Sequence, residues 1–328
     1  MKRLFVLAAA ATGLIAYAQP FPGAKPITLV VPFAAGGPTD RVARDLAKAM
    51  GKAMGDGANF VVENVNGAGG TIGATKVAKA APDGHTLLIY HIGMASTPAL
   101  YRKLQYKPLE DFEYLGLINE VPMMLIGKRQ LRANNYRDFE NHVRANAGKL
   151  NIAHAGLGSA SHLCSLMWQS AIKADQAMAT IPFGGTAPAM NALVGGQVDL
   201  MCDQTTNTTG QIEAGRVKAF AVTSAQRLSG NMLLKDYPTL QEMGLKGFNL
   251  TIWHGLYAPK GTPSAVLTQL NSVLKLALND PDFIKKEEGL GALVVNDQRS
   301  DPAAHKAFVA SEIAKLKPLI EAGGKFAD

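Results

Sequence analysis

The 328-residue chain predicts an α/β protein of two lobes, with the polypeptide crossing between them twice. Three observations carry this reading. Short apolar runs alternate with helical segments, the pattern of strands covered on both faces of a parallel sheet. The alternation runs once to about residue 122 and then starts again. After the second run, an apolar segment at 248–258 offers a path back to the first. The predicted division is residues 19–122 with 255–328 in lobe 1 and residues 123–254 in lobe 2.

Each element has its own warrant. At 27–40 the chain reads ITLVVPFAAGGPTD, with Ile27, Leu29, Val30 and Val31 as a buried strand. Pro32 ends the ladder, Gly36 and Gly37 permit a tight turn, and Thr39 or Asp40 can cap a helix through Val42, Leu46 and Met50. A strand at 60–65, the turn GAGGTIGA at 67–74 and a helix through Ala80 follow. Pro82-Asp83-Gly84 turns the chain into a strand at 86–90. Residues 115–126 read as a long strand broken near Pro122, where the chain would cross.

The second run opens with a helix at 136–146 and a strand at 150–155, followed by the turn GLGSASH at 156–162. Ser159 or Ser161 can cap the next helix, which carries Leu163, Leu166, Met167 and Ile172 on one face. Strands at 179–183, 198–202 and 217–223 alternate with helices at 188–194 and 208–214. Helices after Pro263 finish the chain.

Lys2 and Arg3 precede an apolar run at 4–16, and Ala16-Tyr17-Ala18 has the small-x-small form of a signal-peptidase site. The run is short for a bilayer span. Residues 1–18 are therefore expected to be a signal peptide removed near Ala18, leaving a soluble periplasmic chain; a retained anchor is the alternative. Hydrophobic residues form 47% of the chain and charged ones 18%, a globular composition. The net charge of +7 comes from scattered residues without interleaved aromatics, which speaks against nucleic acid as a partner. The two cysteines, Cys164 and Cys202, fit no zinc, haem or CxxC spacing. In an oxidising compartment one bridge is the economical reading, with two buried thiols as the alternative.

Candidate chemistry sits in the glycine turns. AAGGPTD, GAGGTIGA and GLGSASH each follow a strand and open a helix, and FGGTAPA resembles them. At the facing edges of two lobes they would aim backbone N–H groups at one anion, with hydroxyls from Thr39, Thr71 and Ser159. Asp40 suits a cap or a turn better than an anion contact, and Asp203 suits a loop brace or a ligand donor. His91 and His162 are candidate donors on the same rim. Trp253 reads as core. No P-loop, HExxH, GxSxG or intact GxGxxG is present. A hydrolase using Ser159 and His162 is the enzymatic alternative, without a recognisable orienting acid.

The order of PITLVVPFAAGGPTDRVAR, GGTIGATKVAKAAPDGHTLL, YKPLEDFEYLGLI, GKLNIAHAGLGSASHL, GGTAPAMNALVGGQVDL, PTLQEMG and APKGTP resembles the extracytoplasmic solute receptors of tripartite tricarboxylate transporters, the Bug proteins. The resemblance covers nearly all of the chain after residue 18. It implies a periplasmic binding protein-like (type II) fold: two α/β lobes, a two-crossing hinge and a ligand cleft between them. It implies a monomer without cofactor or metal that takes a small carboxylate to membrane transporter subunits, or reports it as a sensor. Carried over by position, lobe 1 contacts fall on Phe33, Ala35, Gly36, Thr39, Gly70 and Thr71. Those of lobe 2 fall on Gly156, Gly158, Ser159, His162, Gly184 and Gly185, with Asp203 nearby. Relatives often read Pro-Tyr-Lys-Gly where this chain has Pro182-Phe183-Gly184-Gly185, so a particular acid is not transferred; a di- or tricarboxylate or an aromatic acid all fit. The Met201-Cys202-Asp203 stretch, with Cys164, resembles a subset of the family in which the two cysteines could bridge.

Overall fold

A computed structural model describes residues 21–55, 58–173 and 176–322. The expected signal peptide and its cleavage point lie outside the described residues. The first run consists of β1 (Ile27–Val31), α1 (Pro38–Met54), β2 (Phe60–Asn64), α2 (Thr71–Ala78), β3 (Thr86–His91) and α3 (Gly93–Leu100). The long strand β4 (Phe112–Lys128) leads into α4 (Tyr136–Asn146), β5 (Asn151–His154), α5 (Ala160–Ile172) and β6 (Ala179–Pro182). Then come α6 (Thr186–Val194), β7 (Leu200–Gln204), α7 (Thr205–Glu213) and β8 (Val217–Val222). β9 (Thr251–Pro259) returns to the first run, and α8 (Ser264–Leu278), α9 (Pro281–Gly289), β10 (Leu293–Val294) and α10 (Pro302–Ala322) follow.

The strands form one continuous sheet in the order β2-β1-β3-β9-β4-β7-β5-β6, with β8 and β10 also on β4. The outer pairs are parallel as the apolar runs predict: β1 with β2 and β3, and β5 with β6 and β7. The middle is not. β9 lies antiparallel to both β3 and β4, and β4 lies antiparallel to β7 and β8. Both crossings run in opposite directions, so their pairing has to be antiparallel, and the sheet is mixed rather than purely parallel.

β4 also corrects the expected break. It continues through Pro122, which pairs with Thr251 at the start of β9. What changes there is the partner: residues 112–122 pair with β9, whereas residues 123–128 pair with β7 and β8. One strand thus belongs to both lobes. α3 was not legible in the sequence; GMASTPAL has no amphipathic period and carries Pro98.

Packing follows the apolar faces. α1 buries Val42, Ala43, Leu46, Ala47 and Met50, one stripe of an amphipathic helix. In the second lobe Phe139 stacks between Trp168 and Phe220, with ring centroids 5.2 and 4.1 Å away. Cys164 of α5 and Cys202 of β7 form a disulfide, Cα atoms 6.1 Å apart. Trp253 is buried in the core, as its type predicts. Among the described residues no helix is long and apolar enough to cross a membrane.

Candidate functional site

A small cavity lies where the two lobes meet, at the carboxyl ends of the parallel strands. The first lobe lines it with Phe33, Gly37, Pro38, Thr39 and His91. The second contributes Ala155, Ser159, Ala160, Ser161, Thr186 and Gln204. Three of these groups are first turns of helices, α1, α5 and α6. The first amides of a helix have no partner within it, and the dipole adds partial positive charge there. No lysine, arginine, aspartate or glutamate lines the cavity. Its character is therefore that of an anion site built from helix starts and hydroxyls.

The lobes are closed on each other. Ala34 N donates to Gly184 O at 3.0 Å, Ser96 Oγ to Gly158 O at 2.6 Å and Tyr101 Oη to Leu157 O at 3.0 Å. A Cβ placed on Gly69 would stand 1.7 Å from Leu157 O, and Gly69 adopts φ +64°. Only glycine meets both demands. The cavity measures about 10 Å³, roughly one water-sized sphere, so a larger guest enters only when the lobes part.

Of the residues predicted for the site, Phe33, Thr39, His91 and Ser159 line the cavity together. The glycine turns hold a different place from that expected. Gly70, Gly156, Gly158, Gly184 and Gly185 lie at or behind the line where the lobes touch, and several carbonyls there accept bonds from the opposite lobe. Ala35 and Gly36 sit on the exposed lip. Thr71 is buried, its hydroxyl donating to Ala68 O at 3.0 Å.

Asp40 is a brace for that lip and does not cap α1, whose N-cap is Gly37 without a side-chain bond. Its carboxylate accepts from Gly36 N at 2.9 Å, Asn64 Nδ2 at 2.9 Å and Arg44 Nε and Nη2 at 2.9 and 3.0 Å. Burial pushes its pKa up, but the bonds from Arg44, Gly36 and Asn64 prevail and hold it below the usual value. Thr39 is not a cap either; its Oγ1 lies 3.1 Å from His254 Nε2.

Ser159 caps α5, accepting from His162 N at 3.3 Å. His162 Nδ1 accepts from Gly158 N at 3.2 Å, and its ring lies 4.8 Å from that of His154. The serine hydroxyl thus serves the helix start and Ser161, while Nδ1 of the neighbouring imidazole serves the turn. His91 Nδ1 accepts from Gly93 N at 2.9 Å. Burial lowers its pKa to about 3, so the ring is neutral and carries its proton on Nε2. Asp203 lies just behind Gln204. Burial pushes its pKa up to about 7, against hydrogen bonds from Asn207 and Gln204 N.

Thr186, Gln204, Ala160 and Ser161, which also line the cavity, were not singled out in the sequence as site residues. Gln204 lines the cavity and is 2% exposed, and its Oε1 has no hydrogen-bond partner among the described residues. The signal lay in its place one residue beyond Asp203 at the end of a strand. No cluster of metal-ligating side chains occurs among the described residues.

Two α/β lobes that share a crossing strand and shut helix starts around a small polar cavity define a periplasmic binding protein. The chain belongs to the tripartite tricarboxylate transporter family receptors (TctC), whose family model matches residues 42–325. It is similar to BugD, a periplasmic binding protein, with 47% identity, TM-score 0.88, and coverage of 93% of this chain and 99% of that one. It is also similar to MatC (Rpa3494) of Rhodopseudomonas palustris, solved with bound malate. There the identity is 40% and the TM-score 0.85, over 92% of this chain and all of that one. An Agrobacterium vitis relative, the UPF0065 protein in the TAR-I ttuE-ttuC' intergenic region, is 44% identical over 95% of this chain and 88% of its own length.

Proposed function

We propose that this protein is a periplasmic receptor that captures a small organic carboxylate by lobe closure and delivers it to the membrane subunits of a tripartite transporter. The observation that carries the reading is the convergence of three helix starts on a cavity free of ionised side chains. Thr39, Ser159, Ser161, Thr186, Gln204 and His91 would bind the acid, with Asp203 shaping the floor. Residues 19–122 and 255–328 would move as one lobe and 123–254 as the other, bending where β4 changes partners. The proposed role is binding without turnover, in keeping with a family of solute receptors. Malate bound to the similar MatC favours a four-carbon dicarboxylate as the first acid to try.

The test is a thermal-shift screen of the mature chain against malate, succinate, citrate, glutamate, nicotinate and phthalate, with uncharged amides as controls. A binding carboxylate at 100 times its Kd should stabilise the protein by about 2.7 kcal/mol, several degrees in Tm, while the amides leave it unmoved. Stabilisation by sugars or amines in place of acids would overturn the reading.

A further inference from the structure

Thr39 is the cavity end of a buried line of polar side chains. Its Oγ1 lies 3.1 Å from His254 Nε2, and His254 Nδ1 lies 2.8 Å from Asn119 Oδ1. Asn119 Nδ2 lies 2.5 Å from Glu287 Oε2. The line crosses from α1 through β9 and β4 to α9, and no member is more than 2% exposed. Glu287 Oε1 has no partner among the described residues. None of Asn119, His254 or Glu287 touches the cavity.

Such a line has two self-consistent settings, because an amide can turn over and a neutral imidazole can carry its proton on either nitrogen. With Glu287 ionised, Asn119 donates to it and accepts from His254 Nδ1–H. His254 Nε2 must then accept from Thr39, whose hydroxyl proton points away from the cavity. With Glu287 protonated on Oε2, the oxygen that faces Asn119, every bond reverses. The acid donates to Asn119 Oδ1, the amide to Nδ1, and Nε2–H to Thr39 Oγ1. The Thr39 proton is then free to donate into the cavity. The second setting holds one more proton, on Glu287, supplied by solvent; His254 keeps a single proton throughout, moved between its nitrogens.

We propose that Glu287, Asn119 and His254 are positioning residues that set the hydrogen-bond polarity of Thr39, and that binding a carboxylate against Thr39 takes up one proton on Glu287. This rests on the carboxylate reading of the cavity. An ionised carboxylate with one bare oxygen in the core is costly. Burial pushes the Glu287 pKa up to about 7, opposed by Asn119 and then raised further by Asp45 and lowered by Arg41, both of α1, and by Lys286. Lys286 is itself paired with Asp45. Of the other elements against α9, α8 has one titratable side chain, Lys275, tied to Asp301, and β10 has none. On β4 the neighbouring Glu120 is paired with Arg299. His254 is held neutral by burial, with His91 adding to the effect, as both settings require.

The experiment is calorimetry of the mature protein with L-malate, or with the acid of the panel that binds most tightly. It is run at pH 6 and pH 8 in buffers of different ionisation enthalpy. The expected result is uptake of about one proton per ligand at pH 8 and little at pH 6, with affinity falling about tenfold per pH unit above 7. Glu287→Gln removes the titrating carboxyl, and its amide can bond Asn119 in either sense. It should bind equally at both pH values and take up no proton. Should that variant not fold, Thr39→Val should bind more weakly and also without uptake. Proton uptake that persists in either variant belongs to another group and overturns the proposal, as does pH-independent binding by the native chain. Failure of every carboxylate at both pH values overturns the receptor reading and takes this proposal with it.

Discussion

Gly69 of the first lobe and Leu157 of the second meet with no room for a methyl group between them. In Gly69→Ala the new Cβ would lie 1.7 Å from Leu157 O. The change should hold the lobes apart while leaving each intact apart from the cost of φ +64° in an L-residue, about 1–2 kcal/mol. The expected outcome is at least a tenfold loss of carboxylate affinity and a larger radius of gyration at saturating ligand. Native affinity in the variant would show that this contact is absent from the bound state. The same positions show what residue types disclose and what they hide. Thr39, Ser159 and His91, each at the end of a predicted strand or the start of a helix, were legible as cavity-lining residues, whereas Phe33 came from the family resemblance alone. The glycines were legible as close approaches, but not as approaches to the opposite lobe in place of a ligand. Asn119 and Glu287 were not legible, since nothing in the chain announces that residues 168 positions apart will share a hydrogen bond.

At the scale of elements, the disulfide ties α5 to β7 two residues before Gln204 enters the cavity wall. The chain-entropy estimate for a bridge 38 residues apart is about 4 kcal/mol at most. Replacing both Cys164 and Cys202 by Ala should therefore lower the unfolding free energy, read by guanidinium denaturation, by an amount approaching that figure, and soften the floor of the site as well. A loss below about 1 kcal/mol would mean that packing alone fixes β7 on α5. Element order was readable because apolar strands and capped helices alternate with little ambiguity. Elements whose identity depends on tertiary partners were not. β4 reads as broken at Pro122 because a proline weakens a strand in isolation, whereas in the sheet it sits where the strand changes partners. α3 is held by its contacts rather than by its pattern, with the Thr97 hydroxyl bonded to Gly93 O and near Tyr106 Oη, and Ser96 reaching across the cleft. The two-residue β10 exists only because β4 pairs with it.

For the whole molecule, the buried ionisable groups set a definite response to acid, and their signs oppose. Burial lowers the pKa of His91, His154, His254 and His305, so the unfolded chain binds protons there that the folded one refuses. Their stability contribution is complete above pH 6.5 and is lost as pH falls below it. Burial raises Asp203 and Glu287 to about 7, so they act in the other direction, favouring the fold below pH 4 and losing that advantage as pH rises to 7. Between pH 4.5 and 6 the four lowered histidines outnumber the two raised acids, so the unfolded state binds more protons and stability falls as pH drops. Tm should accordingly be greatest near neutral pH and fall steeply below pH 6 at constant ionic strength. His305, fully buried with Nδ1 accepting from Gly116 N at 3.1 Å, provides the check on the assignment. Gln at that position can keep the bond to Gly116 without titrating, so His305→Gln should shallow the acid limb by about one proton, near 1.4 kcal/mol per pH unit. A Tm that rises as pH drops from 7 to 5 would instead mean that the two carboxyls dominate, and that the histidines take up protons without unfolding the chain.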